Sequence, residues 1–390
     1  MKIQSKTNLI FTHKMIKAFA DSMIKVFMPL IIYKASNNML FAIIYLCAFE
    51  PLCALLNLVL KKVLQKYGVI TIIIHFIPLV IVQFLLNLKM TWWLCLIFAL
   101  LMSLAEVLYY VPLNLLFSFT DRKVNVAKFQ IATNVGKLVF IVLTGFILGS
   151  NFTNSLLIVT ITCSVLYLLS SIPILFGYGV LKKSYNKAVK HNRVVNTKSY
   201  KLFNLYHIEF GIFQVILEVI LPLYLYINNL TFQSVAIVMA LIEVCKIGAN
   251  ILAKFLVNKK LSFLSVIISI SAMTISFAGM LISTNPLLLY IFSCCLGVSF
   301  PLLFVPMFSS FIKKIVKDHN HFDGMTYREA YIFSCRGFLY VPYFVIPSFT
   351  AQFILGFVCA GCIGFTSYKI LNDKKNKKQT IEVIPQKINE

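Results

Sequence analysis

Glu50-Pro-Leu-Cys-Ala-Leu-Leu-Asn57-Leu-Val-Leu-Lys61 and Glu243-Val-Cys-Lys-Ile-Gly-Ala-Asn250-Ile-Leu-Ala-Lys254 are the two stretches that decide the fold. Each sets an acid, an amide and a lysine at the same spacing in apolar sequence, and the copies lie 193 residues apart. The same offset carries Pro29-Leu-Ile-Ile-Tyr33 onto Pro222-Leu-Tyr-Leu-Tyr226, and the polar pair Asp21 and Lys25 onto Gln214 and Glu218. At offset 194, Tyr110-Val-Pro112 meets Phe304-Val-Pro306, and after a slightly longer loop Lys137 meets Arg336. Shared residues at one offset, charged ones among them, mark a duplicated unit.

What is duplicated follows from composition. A chain of 390 residues that is 59% hydrophobic and 13% charged, with mean hydropathy +0.87, has too little polar surface for a soluble protein of its size. A soluble enzyme, a disordered chain and a secreted disulfide scaffold are excluded. One spanning helix takes about 20 apolar residues. The pattern predicts twelve, at 15–33, 39–60, 68–88, 91–119, 129–149, 153–180, 202–227, 232–256, 262–283, 286–312, 328–348 and 350–371. The expected fold is an all-α polytopic membrane protein, its twelve transmembrane helices forming two pseudo-symmetric six-helix bundles. The first bundle spans 1–180, a basic linker 181–201, the second bundle 202–371 and a tail 372–390.

The net charge of +23, from 36 Lys+Arg against 13 Asp+Glu, lies in bursts between apolar runs. One patch would suit nucleic acid; bursts suit membrane loops. The N-terminal tail and the runs at 61–66, 122–128, 182–201, 254–260, 313–328 and 374–378 fall on one side, and the opposite loops hold only Lys34 and Lys89. That bias predicts a multi-pass protein of the cell membrane with both termini in the cytoplasm. Trp92 and Trp93 then sit at the outer interface. No cleavable signal peptide is evident. The ten cysteines, Cys359-x-x-Cys362 included, read as buried thiols. The glycosylation-like triplets at Asn151 and Asn229 read as chance. A Lys-, Ile- and Asn-rich composition suggests an AT-rich bacterial genome.

Two parallel six-helix repeats, both termini inside and a long basic central loop resemble the major facilitator superfamily of secondary transporters, over essentially the whole chain. The resemblance implies that helices 1, 4, 7 and 10 line a central cavity, that 2, 5, 8 and 11 join the halves, and that 3, 6, 9 and 12 face lipid. The charges placed well inside spans are Asp21, Lys25, Glu50, Glu106, Lys137, Glu209, Glu218, Glu243, Lys246 and Arg336, and helices 3, 6, 9 and 12 hold none of them. An intramembrane charge costs several kcal/mol unless it faces a cavity or a partner, roughly 3 kcal/mol on insertion scales. One motif departs. The family's loop after helix 2 reads G-x-L-x-D-R-x-G-R-[KR]; here Asn57 stands at the first Gly and Lys61 at the Asp.

Chemistry is expected from the buried polar residues. Glu218, with no partner within its helix, and Asp21 are the proton-coupling candidates; alternatively Asp21 and Lys25 neutralise each other one turn apart. Lys25, Glu106, Tyr109, Tyr110, Asn114 and Gln214 are the substrate candidates. Glu106 with its tyrosines would offer a carboxylate and aromatic faces to a cationic or amphipathic solute, or would bond a neighbouring helix. Counting 1.5 Å per residue from the helix ends puts Glu50 about 16 Å deep and Arg336 about 12 Å. Two cross-bundle pairs are predicted, Glu50 with Arg336 and Glu243 with Lys137. The local alternatives are Glu243 with Lys246, and Glu50 as a protonated acid. His75 is expected to face lipid as a structural histidine, and His207 and Glu209 to meet water at a helix end. Gly297, Pro301, Pro306, Pro342 and Pro347 should kink helices 10 and 11.

There is no phosphate loop, no H-E-x-x-H and no nucleophile constellation, so no enzyme, cofactor or metal is expected. The partners are a small-molecule substrate, a proton and the bilayer, and the chain is expected to be a monomer. Proton-coupled efflux of a small amphipathic or drug-like solute is the leading reading. The alternatives are nutrient uptake, flipping of a lipid-linked solute, or a non-transporting receptor or immunity protein.

Overall fold

A computed structural model describes residues 3–120, 126–150, 152–190, 200–228, 230–283, 285–346 and 348–378. Asn151, Asn229, Pro347, residues 191–199 of the expected linker and the end of the tail lie outside the described residues.

The expected spans are helices or broken pairs of helices. In the first half these are α1 (Ile3–Ile24) with α2 (Met28–Ser36), α3 (Met39–Val59), α4 (Lys61–Ile74) with α5 (Phe76–Leu85), α6 (Trp92–Thr120), α7 (Val126–Leu148) and α8 (Phe152–Lys190). In the second they are α9 (Lys201–Val215), a π-helical turn (Ile216–Ile220) and α10 (Leu221–Ile227), then α11 (Phe232–Asn258), α12 (Ser262–Ile282) and α13 (Pro286–Lys317). Last come α14 (His321–Ser334), a 3₁₀ segment (Gly337–Phe344) and α15 (Thr350–Lys378). Helix α8 runs on through Lys182 and Lys187, so the first ten residues of the expected linker are helical.

The repeat is visible in how helices begin and break. Asn38 caps α3 by accepting from the Leu40 amide, and Thr231, 193 residues on, caps α11 by accepting from Ser234. Pro29 is the second residue of α2, and Pro222 the second of α10. A proline has no N–H and crowds the carbonyl four residues earlier. Those carbonyls belong to Lys25 and Glu218. The first interruption therefore falls at residues 25–27 and the second is the π-helical turn holding Glu218. The kinks expected in helices 10 and 11 divide unevenly. Pro301 and Pro306 lie within continuous α13, whereas α14 ends at Ser334 and continues only as the 3₁₀ turn containing Pro342.

Among the described residues eight helices are long and apolar enough to cross a membrane, and α4 with α5, bent by 46°, makes a ninth by the same measure. The expected spans that fall short are α1–α2, α7 and α14 with its 3₁₀ turn, which carry buried or half-buried charges. Large apolar side chains face outward on α5, α8, α12 and α15: Phe84 is 69% exposed, Phe176 84% and Phe365 61%. Water would not tolerate such a belt; hydrocarbon does. This is a multi-pass membrane protein.

The halves meet along α3 against α14 and its 3₁₀ turn, and along α7 against α11. Glycines permit both approaches. A Cβ at Gly337 would lie 2.7 Å from Pro51 Cγ, and one at Gly145 2.1 Å from Ala236 Cβ.

Candidate functional site

Between the halves lies a cavity of about 280 Å³. Its walls come from α1, α2, α3, α6 and α7 of the first half and from α9, the π turn, α11, α13 and α14 with Arg336 of the second. Helices α4, α5, α8, α12 and α15 contribute nothing. The coupling and substrate candidates and the four residues of the expected cross-bundle pairs, twelve in all, line it.

In the first half the interrupted α1 gathers the charge. Asp21 accepts from Lys17 at 2.6 Å, lies 3.1 Å from Lys25, and takes a 3.1 Å hydrogen bond from the Tyr167 hydroxyl of α8. Lys25 also pairs with Glu106 of α6. Lys17 sits 4.0 Å above the Tyr109 ring, and Lys25 5.6 Å from that of Tyr110. Asp21 is therefore held by two ammonium groups and a hydroxyl. The Glu106 carboxylate is taken by Lys25.

In the second half Gln214 is the hinge of a chain of contacts. Its amide donates to Glu218 at 2.9 Å while its carbonyl accepts from Arg336 at 2.6 Å. Lys246 binds Glu243 at 2.7 Å and lies 3.9 Å from Glu218. Arg336 reaches Glu50 across the halves at 3.5 Å, without hydrogen-bond alignment. Nearer the basic end, Asn114 of α6 donates to Glu329 of α14 at 2.9 Å, and Arg328 pairs with that same Glu329.

Several expectations need correcting. Glu218 does have a partner on its own helix stretch, Gln214, one turn earlier. Glu243 pairs with Lys246 and not with Lys137. The repeat explains why, because the residue 193 before Lys246 is Cys53. Glu243 finds a cation three residues on, and Glu50 at the equivalent place does not. Lys137, half-buried, is left with no carboxylate within 4 Å among the described residues. His75 is wholly buried rather than facing lipid. Its ring lies 4.9 Å from Tyr109 and 5.7 Å from His13, and it bonds the Ile72 carbonyl. His207 and Glu209 are buried rather than hydrated; Glu209 accepts from Thr366 of α15, away from the cavity.

Sequence reasoning missed Lys17, Arg328 and Glu329, because it placed them at span ends. Helix α14 starts seven residues before the expected 328, which carries Arg328 and Glu329 inward. Lys17 had a usable signal, its four-residue spacing from Asp21.

The halves touch beyond both ends of the cavity. At the basic end Lys61 binds Asp323, in the first turn of α14, at 3.0 Å, and lies 4.9 Å from the Tyr327 ring. Lys61, which stands where the motif quoted above has an acid, thus forms an ion pair between the halves. At the opposite end the rings of Tyr33 and Tyr226, equivalent residues of the repeat, meet at 6.0 Å, and those of Phe27 and Phe232 at 6.3 Å.

A crystal structure of a bacterial homologue of the iron transporter ferroportin, outward-facing with soaked iron, matches with a TM-score of 0.69 at 14% identity, over 93% of this chain and 98% of that one. Another outward-facing structure of such a homologue gives 0.68 at 14%, over 96% and 100%. The fucose:proton symporter of E. coli gives 0.62 at 13%, over 93% and 98%. The chain has the major facilitator fold. No protein-family model and no curated relative matches its sequence.

Proposed function

We propose that this protein is a secondary transporter that moves a small amphipathic solute across the cell membrane by alternating access, in proton-coupled efflux, as a monomer with both termini in the cytoplasm. The observation that carries the reading is a central cavity, built from both halves, that is lined by most of the buried charges and is bounded by cross-half contacts at its two ends. Rocking the halves about α3–α14 and α7–α11 would break one set of contacts and keep the other. The iron of the ferroportin homologue is not carried over, since among the described residues no three His, Cys, Asp or Glu side chains gather to hold a metal.

Glu218 is the coupling site in this reading. Asp21 is held by two ammonium groups and a hydroxyl. Among the described residues Glu218 has only Gln214 and a distant Lys246 within 4 Å, its side chain is 31% exposed, and it stands on the π-helical turn. Reconstitution into proteoliposomes with an imposed proton gradient tests this. Glu218→Gln should abolish gradient-driven flux and leave substrate exchange intact, because exchange moves no net proton. Gradient-driven accumulation by the variant would remove Glu218 from the mechanism.

A further inference from the structure

Resting on that reading of the cavity, we infer that its substrate is a monoanionic amphipath, a carboxylate on an aromatic or aliphatic body, whose charge docks on Lys137. Six carboxylates and six cations line the cavity among the described residues, and Lys17, behind Asp21, is a seventh cation. Each of the six carboxylates has a cation of the chain within 4 Å: Asp21 and Glu106 in the first-half cluster, Glu218 and Glu243 on Lys246, Glu50 on Arg336, Glu329 on Arg328. None is free to receive a cationic solute, which reverses the expectation attached to Glu106. Seven cations against six carboxylates leave one positive charge in excess, and Lys14, the lining cation absent from these pairs, is not free either.

That surplus is placed where a solute can reach it. Lys137 projects from the cavity face of α7, one turn after Asn134 and two after Gln130, and among the described residues no hydrogen bond occupies these amides. An ammonium in a low-dielectric site needs an anion, and among the described residues none lies within 4 Å. The same cavity presents a wall of stacked rings for the rest of the molecule. Phe300 and Phe304 meet at 5.9 Å, Phe304 and Phe308 at 5.0 Å, and Phe210 lies 5.2 Å from Phe300. Spaced four apart on α13, they form one apolar face. A single cation beside polar amides and an aromatic wall suits one negative charge on an apolar body. A volume of about 280 Å³ admits a molecule the size of an aryl-substituted short-chain acid.

The test is binding to the purified full-length protein in nanodiscs, by calorimetry, with three probes of one skeleton: 4-phenylbutyrate, 4-phenylbutylamine and 4-phenylbutanol. The carboxylate should bind at least tenfold tighter than the other two. Lys137→Gln should remove that preference, and Lys137→Arg should keep it. Lys246→Gln, which frees Glu243 to compete for Lys137, should weaken carboxylate binding. Equal or tighter binding of the amine or alcohol, no carboxylate binding at millimolar concentration, or an unaltered preference in Lys137→Gln would each overturn the inference. Binding is read without a gradient. A carboxylate that binds through Lys137 but is not moved in proteoliposomes therefore counts against transport alone, and transport of a cation counts against the anion alone.

Discussion

Replacing Arg336 by Gln leaves Glu50, 1% exposed, with no cation within 4 Å among the described residues. A buried carboxylate stripped of its partner costs about 3–5 kcal/mol. Glu50→Gln strands the guanidinium less severely, because Gln214 still accepts from it at 2.6 Å and the Phe333 ring lies 4.6 Å from its centre; about 2 kcal/mol is expected. The double variant removes both charges together, so its cost should fall below the sum of the singles by about 2–3 kcal/mol. The lost Arg336–Gln214 bond enters the single and the double variant equally and cancels from the cycle. Graded SDS in mixed micelles, followed by helical circular dichroism, measures each stability. Additive effects, within about 0.5 kcal/mol, would mean that Glu50 and Arg336 do not interact and that 3.5 Å is proximity without coupling.

The remaining predictions concern the ends of the cavity and the orientation of the chain. Lys61 and Asp323 are part-exposed, so breaking their pair should change stability by less than about 1 kcal/mol. Lys61→Glu should nevertheless raise the labelling rate of a cysteine at Leu113 two- to fivefold, and Lys61→Asp with Asp323→Lys should restore it; an unaltered rate would deny the pair any part in closing the basic end. In a background free of reactive cysteines, Asn38→Cys should label from outside intact cells and Lys259→Cys only after permeabilisation. The opposite result inverts the topology.

The duplicated halves were legible because they rest on short-range chemistry. Proline positions, helix caps and intramembrane charges each leave a mark at fixed spacing, and Pro29 with Pro222 alone places both interruptions. The cavity wall was legible for a related reason: an ionisable residue in an apolar helix has few places to go. The partners of those charges were less so. A repeat constrains where a backbone runs and says nothing of which of two cations a flexible glutamate reaches. His75 shows the same limit. Its helix faces lipid as a whole, but the helix bends by 46° immediately beside it, and the ring turns inward against His13 and Tyr109.

The departure from symmetry at one position carries the functional weight. Glu50 and Glu243 are equivalent in sequence, depth and sign, and a strict repeat would give each a partner in the other half. Lys246 breaks the equivalence because Cys53 stands in its place in the first half. The local ion pair at 2.7 Å draws Glu243 to Lys246, so among the described residues the ion pair within 4 Å at this depth crosses the halves on the α3 side, through Arg336, and not on the α7 side. Lys137 is released by the same event. Cys53→Lys would give Glu50 its own local cation and loosen its hold on Arg336. Lys246→Cys would make Glu243 available to Lys137, at the cost of leaving Glu218 with Gln214 alone. If substrate docks on Lys137, the second substitution should weaken carboxylate binding by supplying an internal competitor, whereas the first should leave it intact. Equal effects from the two would show that the asymmetry of the repeat has no bearing on the cavity's charge.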